Sequence, residues 1–172
     1  MMTYYSILKT QVGDLIMVAK ESELTGIYFV GCDHIPAAQK TWTLDTRHPV
    51  LRKAAKQLNE YFKGQRSSFS FLPSAAGTDF QRRIWREIAR IPFGKTISYS
   101  DLAHRAGAPR AIRAAGTATG RNPLSIIVPC HRVLGKHGAI GGYAGGLERK
   151  RHLLKFEKDA KGEAREPFID GC

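Results

Sequence analysis

Across 172 residues, 42% hydrophobic and 24% charged, the composition is that of a globular chain, long enough for one ordinary domain or two small ones. The formal charge of +12 favours a polyanionic partner. No apolar run reaches the roughly 18 residues of a membrane span, the start "MMTYYSILKTQVGDL" lacks a signal-peptide core, and Cys32, Cys130 and Cys172 are too few and scattered for a disulfide framework or a zinc site; a cytoplasmic protein with no metal or other cofactor is expected.

Residues 3–30 read as three short strands, "YYSILKT", "LIMVAK" and "LTGIYFV", separated by the turn formers Gly13-Asp14 and the polar Glu21-Ser22-Glu23. Residues 31–49 are mixed and read as loop with some helix. In "HPVLRKAAKQLNEYFKG" the apolar positions Val50, Leu51, Ala54, Leu58 and Phe62 fall at helical spacing, and Gly64 stops the helix. "SFSFLP" alternates and reads as a further strand. "PSAAGT", residues 73–78, is a linker. The expected boundaries are a small α+β domain over 1–77 and a second domain over 78–172, with a polar, weakly ordered tail from about 158.

The second domain carries the charge, with 18 Lys/Arg against 9 Asp/Glu over residues 79–172. Thr78-Asp79 supplies a helix start, and Phe80, Ile84, Ile88 and Ile91 form one apolar face, with Arg82, Arg83, Arg86 and Arg90 elsewhere. Pro92 and Gly94 end that helix. Ser100 or Asp101 is expected to cap a short helix over 102–106, Gly107-Ala108-Pro109 turns, and the Ala- and Arg-bearing residues 110–119 start another. Helix, Gly-containing turn and helix make a helix-turn-helix pattern, whose second helix suits a DNA groove. The stretch "GAIGGYAGGLERK" lacks both the GK[ST] ending and the GxGxxG frame of a phosphate loop, so its glycines read as close backbone wrapping. Residues 147–157 read as a last helix with Leu147, Leu153, Leu154 and Phe156 inward.

The stretch "SIIVPCHRVLG", residues 125–135, is the chemical centre of the sequence. It reads as a buried strand running into Pro129, then a thiol, an imidazole and a guanidinium. A free thiol is mostly protonated at neutral pH, so a reactive Cys130 needs a base. His131 is adjacent, and Glu157 on the last helix is a candidate to orient it. Read from these residues alone, Cys130 is either a nucleophile or a buried structural thiol. A cysteine protease fits poorly, because those families place the histidine far away in sequence.

Pro129-Cys130-His131-Arg132-Val133 resembles the active-site motif of the O6-alkylguanine-DNA alkyltransferases, the methylated-DNA–protein-cysteine methyltransferases. "FQRRIWREIARIPFGKTISYSDLA" resembles that family's opening helix and tyrosine-bearing loop, "RAIRAAGTATGRNP" its recognition helix and asparagine hinge, and "GGYAGGLERKRHLL" its substrate loop and last helix. The likeness covers about residues 78–157. It implies an α+β fold: an N-terminal ribonuclease H-like sheet-and-helix domain and a mostly helical, winged-helix-like C-terminal DNA-binding domain. It further implies that Cys130 accepts the alkyl group of O6-alkylguanine in one irreversible displacement, with O4-alkylthymine as a second candidate substrate. His131 then serves as base and Glu157 polarises it, while Tyr99 and Lys150 complete the catalytic group. Asn122, Val133, Tyr143 and Ala144 surround the substrate. Arg113 fills the gap left by the flipped base, and Arg110, Ala111, Ala114, Ala115 and Arg132 lie along the DNA. The implied partner is double-stranded DNA carrying the lesion, met by a monomer, with cooperative loading left open.

Two other readings stand beside this one. One is a lesion-binding relative that marks damage without repairing it; the other is a helix-turn-helix regulator in which Cys130 is only a sensor. The presence of Cys130 opposes the first, and the lack of a cysteine-rich metal domain in 1–73 opposes the second.

Overall fold

The computed structural model describes residues 1–73 and 76–162. The first part of the chain forms strands β1 (Thr3–Leu8), β2 (Leu15–Lys20) and β3 (Glu23–Phe29), a 3-10 turn over Ala37–Thr41, strand β4 (Thr43–Leu44) and helix α1 (Pro49–Phe62). The sheet runs β3-β2-β1-β4, antiparallel except for the short β1–β4 pair. β2 is central, and its first five residues are all buried, which is why "LIMVA" is apolar throughout and does not alternate. Pro49 opens α1, where its missing N–H costs nothing, and Leu51, Ala54, Leu58 and Tyr61 form the buried face at helical spacing. "SFSFLP" forms no strand: residues 68–73 are irregular, with the Ser70 backbone N–H taken by the Gln57 side chain at 3.0 Å instead of a ladder.

The second part holds α2 (Asp79–Ala89), β5 (Ile97–Ser98), α3 (Tyr99–Arg105), α4 (Ile112–Gly120), a 3-10 turn over Cys130–Arg132, β6 (Val133–Leu134), a 3-10 turn over Lys136–Gly138 and α5 (Leu147–Ala160). Thr78 and Gln81 form a reciprocal capping box at the start of α2. At α3 the cap is Ser98, boxed with Asp101, and not Ser100 or Asp101 itself; the Ser-x-x-Asp spacing starts the helix three residues earlier than the apolar pattern suggests. α2, α3 and α4 pack on one another, and the Trp85 indole donates to the Ala118 carbonyl at 2.8 Å, locking α2 to α4. α5 runs on to Ala160, and Leu147 at its first position is 40% exposed and not inward. Of the expected linker, Ser74 and Ala75 lie outside the described residues, as do residues 163–172 of the expected tail, Cys172 among them.

The two parts share one apolar core, from Val12 and Met17 through Tyr61 and Trp85 to Leu153. Backbone bonds join them as well: the Ile27 N–H donates to the Pro123 carbonyl at 2.7 Å, and the Ser125 N–H to the Ile27 carbonyl at 3.3 Å. β3 is thereby tied to the segment that leads into Cys130. Among the described residues no helix is long and apolar enough to cross a membrane.

Candidate active site

The segment before the cysteine is not a strand. Residues 124–128 wind through successive turns, and Ile126 sits in the left-handed region at φ 71° while fully buried. A β-branched residue there costs about 1–3 kcal/mol, and the surrounding bonds over-determine it: Val128 N–H to Leu124 O and Ile127 N–H to Ser125 O, both at 2.9 Å. This winding replaces the expected extended run because Pro129 has no N–H to give a ladder and the Asn122 side chain takes backbone groups that a ladder would use. Asn122 donates to the Val128 carbonyl at 2.8 Å and to the Cys130 sulfur at 3.2 Å, and accepts from the Leu124 N–H at 3.0 Å.

Cys130 then opens a 3-10 turn. Burial pushes its thiol up, against downward pulls from the Asn122 amide, the Lys150 ammonium and the backbone N–H groups of Cys130 and His131. Burial wins, so the resting group is a thiol and needs a base. His131, fully buried beside it, has its imidazole pushed down by burial, against the upward pull of Glu157, so the ring is neutral and can accept a proton. Its Nε2 lies 2.7 Å from Glu157 Oε1. A carboxylate takes a proton donor, so Nε2 carries the hydrogen and Nδ1 the lone pair. Nδ1 is buried with no hydrogen-bond partner in the structure.

Glu157 is the hub behind the imidazole. Burial alone would raise its carboxyl, but hydrogen bonds and charge from His131 and Arg132 outweigh that and hold it well below the usual carboxylate range. Arg132 grips it with Nε and one terminal nitrogen, each at 2.8 Å, and the Gly94 N–H and the Tyr61 hydroxyl add bonds at 3.0 and 2.7 Å. Lys150 is buried too. Its ammonium donates to the carbonyls of Val133 and Gly141 at 2.7 Å, and desolvation brings its pKa down to about 8. It pins the glycine-rich loop onto β6.

Cys130 lies on a cleft of 260 Å³ lined by His34, Tyr99, Gly116, Thr119, Gly120, Gly142, Tyr143 and Ala144. Thr119, Gly116 and Gly120 come from α4, so the cleft opens along the second helix of the helix-turn-helix. The small residues of α4 leave its width.

Residues 79–159 match the family described as 6-O-methylguanine DNA methyltransferase, DNA binding domain, and residues 3–75 match 6-O-methylguanine DNA methyltransferase, ribonuclease-like domain. The chain belongs to the 6-O-methylguanine DNA methyltransferase family. The constitutive methylated-DNA–protein-cysteine methyltransferase of Bacillus subtilis is 42% identical over 161 residues, covering 91% of this chain and 96% of that protein. The methylated-DNA–protein-cysteine methyltransferase of Mycobacterium tuberculosis is 41% identical over 157 residues, covering 91% and 93%. Among solved structures, the M. tuberculosis O6-methylguanine methyltransferase superposes with a TM-score of 0.84 at 40% identity over 92% of this chain and 94% of that one. M. tuberculosis OGT in complex with DNA gives 0.83 at 40% identity over 91% and 94%.

In this methyltransferase-family chain the residues expected from the sequence separate by position. Cys130, Tyr99, Tyr143 and Ala144 meet in the cleft. His131, Glu157, Asn122 and Lys150 stand behind it, buried. Arg110, Arg113 and Ala114 are exposed, and Ala111 is half-buried, at the start of α4. Three expectations need correction. Arg132 is 4% exposed, with its guanidinium turned inward to Glu157 and the Ile91 carbonyl, so it does not face a phosphate. Ala115 is fully buried against the core, on the inner side of α4. Val133 is also fully buried and absent from the cleft wall; it contributes only the carbonyl that holds Lys150. Sequence reasoning missed Tyr61, the Gly94 N–H, His34 and Thr119. Gly94 and Thr119 sit inside stretches quoted above for their likeness to the family, but no local chemistry marks either one, and Tyr61 and His34 lie outside those stretches.

Proposed function

We propose that this protein repairs DNA by direct, stoichiometric transfer of an alkyl group from O6-alkylguanine in double-stranded DNA to Cys130, each molecule acting once. The observation that carries this reading is the placement of the Cys130 thiol on a cleft opening along α4, with a neutral imidazole beside it whose far nitrogen is committed to a carboxylate.

The chemistry follows from those groups. A base inside the stack is out of reach, so the damaged guanine is extruded into the cleft. Arg113, exposed near the start of α4, fills the vacated space, while Arg110, Ala111 and Ala114 lie against the backbone and groove. His131 Nδ1 takes the thiol proton, directly or through one water, as Glu157 stabilises the imidazolium. The sulfur attacks the alkyl carbon, the carbon–oxygen bond breaks, and its electron pair stays on the guanine. The guanine leaves with the proton the thiol gave up. Tyr99 donates to the departing base and disperses its charge. Tyr143 and Ala144 cover the base, and Lys150 keeps their loop in place. The product is a thioether without a good leaving group, and nothing nearby reverses it, so turnover stops at one. Every group named belongs to one chain, which suits a monomer. The need for a free thiol favours a reducing compartment, and we assign the protein to the cytoplasm.

The test is a duplex carrying O6-methylguanine. One methyl mass on the Cys130 peptide, never more than one per molecule and none after Cys130→Ala, is the expected result. Tight lesion binding with no mass change overturns the reading.

A further inference from the structure

We infer that Tyr61, on α1 of the first domain, is a positioning residue for the transfer: its hydroxyl occupies the carboxylate oxygen that also takes His131 and so limits how strongly Glu157 draws on the imidazole. The inference rests on the alkyl-transfer reading above. Tyr61 is fully buried, and its hydroxyl donates to Glu157 Oε1 at 2.7 Å, across 96 residues of sequence. Glu157 Oε1 already accepts from His131 Nε2 at 2.7 Å and from Arg132 at 2.8 Å. Three donors share one oxygen, while Oε2 takes Arg132 Nε and the Gly94 N–H.

A carboxylate with its negative charge spread over five donors is a weaker acceptor for each one. The bidentate arginine and the backbone N–H suffice to fix the orientation of Glu157. The Tyr61 bond is therefore surplus to orientation, and its effect is electrostatic. Charge left on Oε1 stabilises the imidazolium; charge shared with Tyr61 does not. The hydroxyl thus helps keep His131 neutral, the form a base must have before the thiol gives up its proton. Burial and then Glu157 push the Tyr61 hydroxyl well above its ordinary range, so it remains a donor throughout.

The other ionisable groups near the ring are accounted for. Arg132 and Lys150 oppose its protonation, Glu157 favours it, Cys130 precedes it in the turn, and Tyr143 faces it with ring centroids 6.5 Å apart. Removing one oxygen from Tyr61 takes a hydrogen bond from Glu157, while the tyrosine ring keeps its contacts with Phe62, Phe69, Phe93 and Phe156.

The experiment is the pH profile of methyl transfer for the full chain and for Tyr61→Phe, with the His131 ring titrated by NMR in both. In the variant the acid limb and the His131 midpoint move up together, by about half a unit to one unit, while the plateau above the midpoint stays within about threefold and affinity for undamaged DNA is unchanged. In a Glu157→Gln background the same substitution moves nothing. Fluorotyrosine at position 61, a stronger donor, moves the midpoint down and serves if the phenylalanine variant does not fold. An unmoved midpoint, or a lost plateau with no shift, overturns the inference. A wild-type chain that accepts no methyl overturns the alkyl-transfer reading instead, so the two failures are distinguishable.

Discussion

The side-chain amide of Asn122 donates to the Cys130 sulfur at 3.2 Å, two residues after the last residue of α4. One side chain therefore joins the end of the exposed helix to the thiol and, through the Pro123 carbonyl and Ile27, to β3 of the first domain. Whatever changes the sulfur changes this joint. The amide's contacts to Val128 and Leu124 hold the wound segment in shape and do not depend on the sulfur.

A methylated Cys130 is bulkier, and its sulfur is buried beside the Asn122 amide. The methylated protein is expected to lose about 1–3 kcal/mol, the cost of disturbing a buried hydrogen bond, and to melt several degrees lower. Calorimetry of the protein before and after reaction checks this. Asn122→Ala costs the unreacted protein at least as much, because it also removes the bonds to Val128 and Leu124, and methylation then subtracts little more. Equal melting of both forms counts against the joint.

Arg113 is exposed near the start of α4, and among the described residues its guanidinium makes no ion pair or hydrogen bond. If it fills the gap left by an extruded base, Arg113→Ala slows transfer from duplex DNA by about tenfold to a hundredfold, the rate equivalent of a few kcal/mol of unstacking. Transfer from the free base O6-benzylguanine needs no extrusion and keeps its wild-type rate. Equal slowing on both substrates would place Arg113 in the chemistry instead.

Arg110 lies just before α4 and is exposed. As a phosphate contact it carries affinity without sequence or lesion preference. Arg110→Gln is expected to reduce the slope of log affinity against log salt by about one, with the ratio of damaged to undamaged binding unchanged. Arg132→Gln, whose guanidinium is spent on Glu157, gives no such reduction; it costs stability of about 3–5 kcal/mol, seen as a lower urea midpoint.

Glu157 couples the fold to pH. Burial would raise its carboxyl, but His131 and Arg132 hold it well below the ordinary value, so its folded pKa lies under its unfolded one. The stability it contributes is present in full above the unfolded value of about 4.3 and is lost as pH falls from there toward the folded pKa. His131 acts in the same direction over a higher window. Its folded pKa is depressed by burial, so protonation of the unfolded chain below about 6.5 erodes stability. Urea midpoints should therefore fall in two stages on acidification. Glu157→Gln removes the lower stage and lowers the midpoint at pH 7. A wild-type midpoint that stays flat from pH 7 to 3.5 would refute the assignment.

Much of the architecture is legible in the residues. The turn formers at Gly13-Asp14, the helical spacing of Leu51, Ala54 and Leu58, and the Thr78 cap all act within a few residues of themselves, so local chemistry decides them. The errors have equally local causes. At α3 the apolar pattern begins at Leu102, but a capping box reaching from Ser98 to Asp101 starts the helix. "SFSFLP" alternates like a strand, yet it joins no sheet, and the Gln57 side chain takes the Ser70 backbone and hydroxyl. "SIIV" looks extended, yet Asn122 winds it into turns. A propensity describes what a segment can do; a partner elsewhere in the chain selects what it does.

By itself the amino-acid order determined that a thiol, an imidazole and a guanidinium follow a proline, that the second half is basic, and that a helix-turn-helix precedes them. Those are properties of neighbours along a chain. Only the folded molecule decided that Arg132 turns inward to Glu157 rather than outward to a phosphate, and that a carboxylate 26 residues away takes His131. It also decided that a tyrosine of the other domain shares the same oxygen, and that the thiol rests protonated. Each of these depends on burial and on which distant groups share a small volume, and both are set by packing of the whole core.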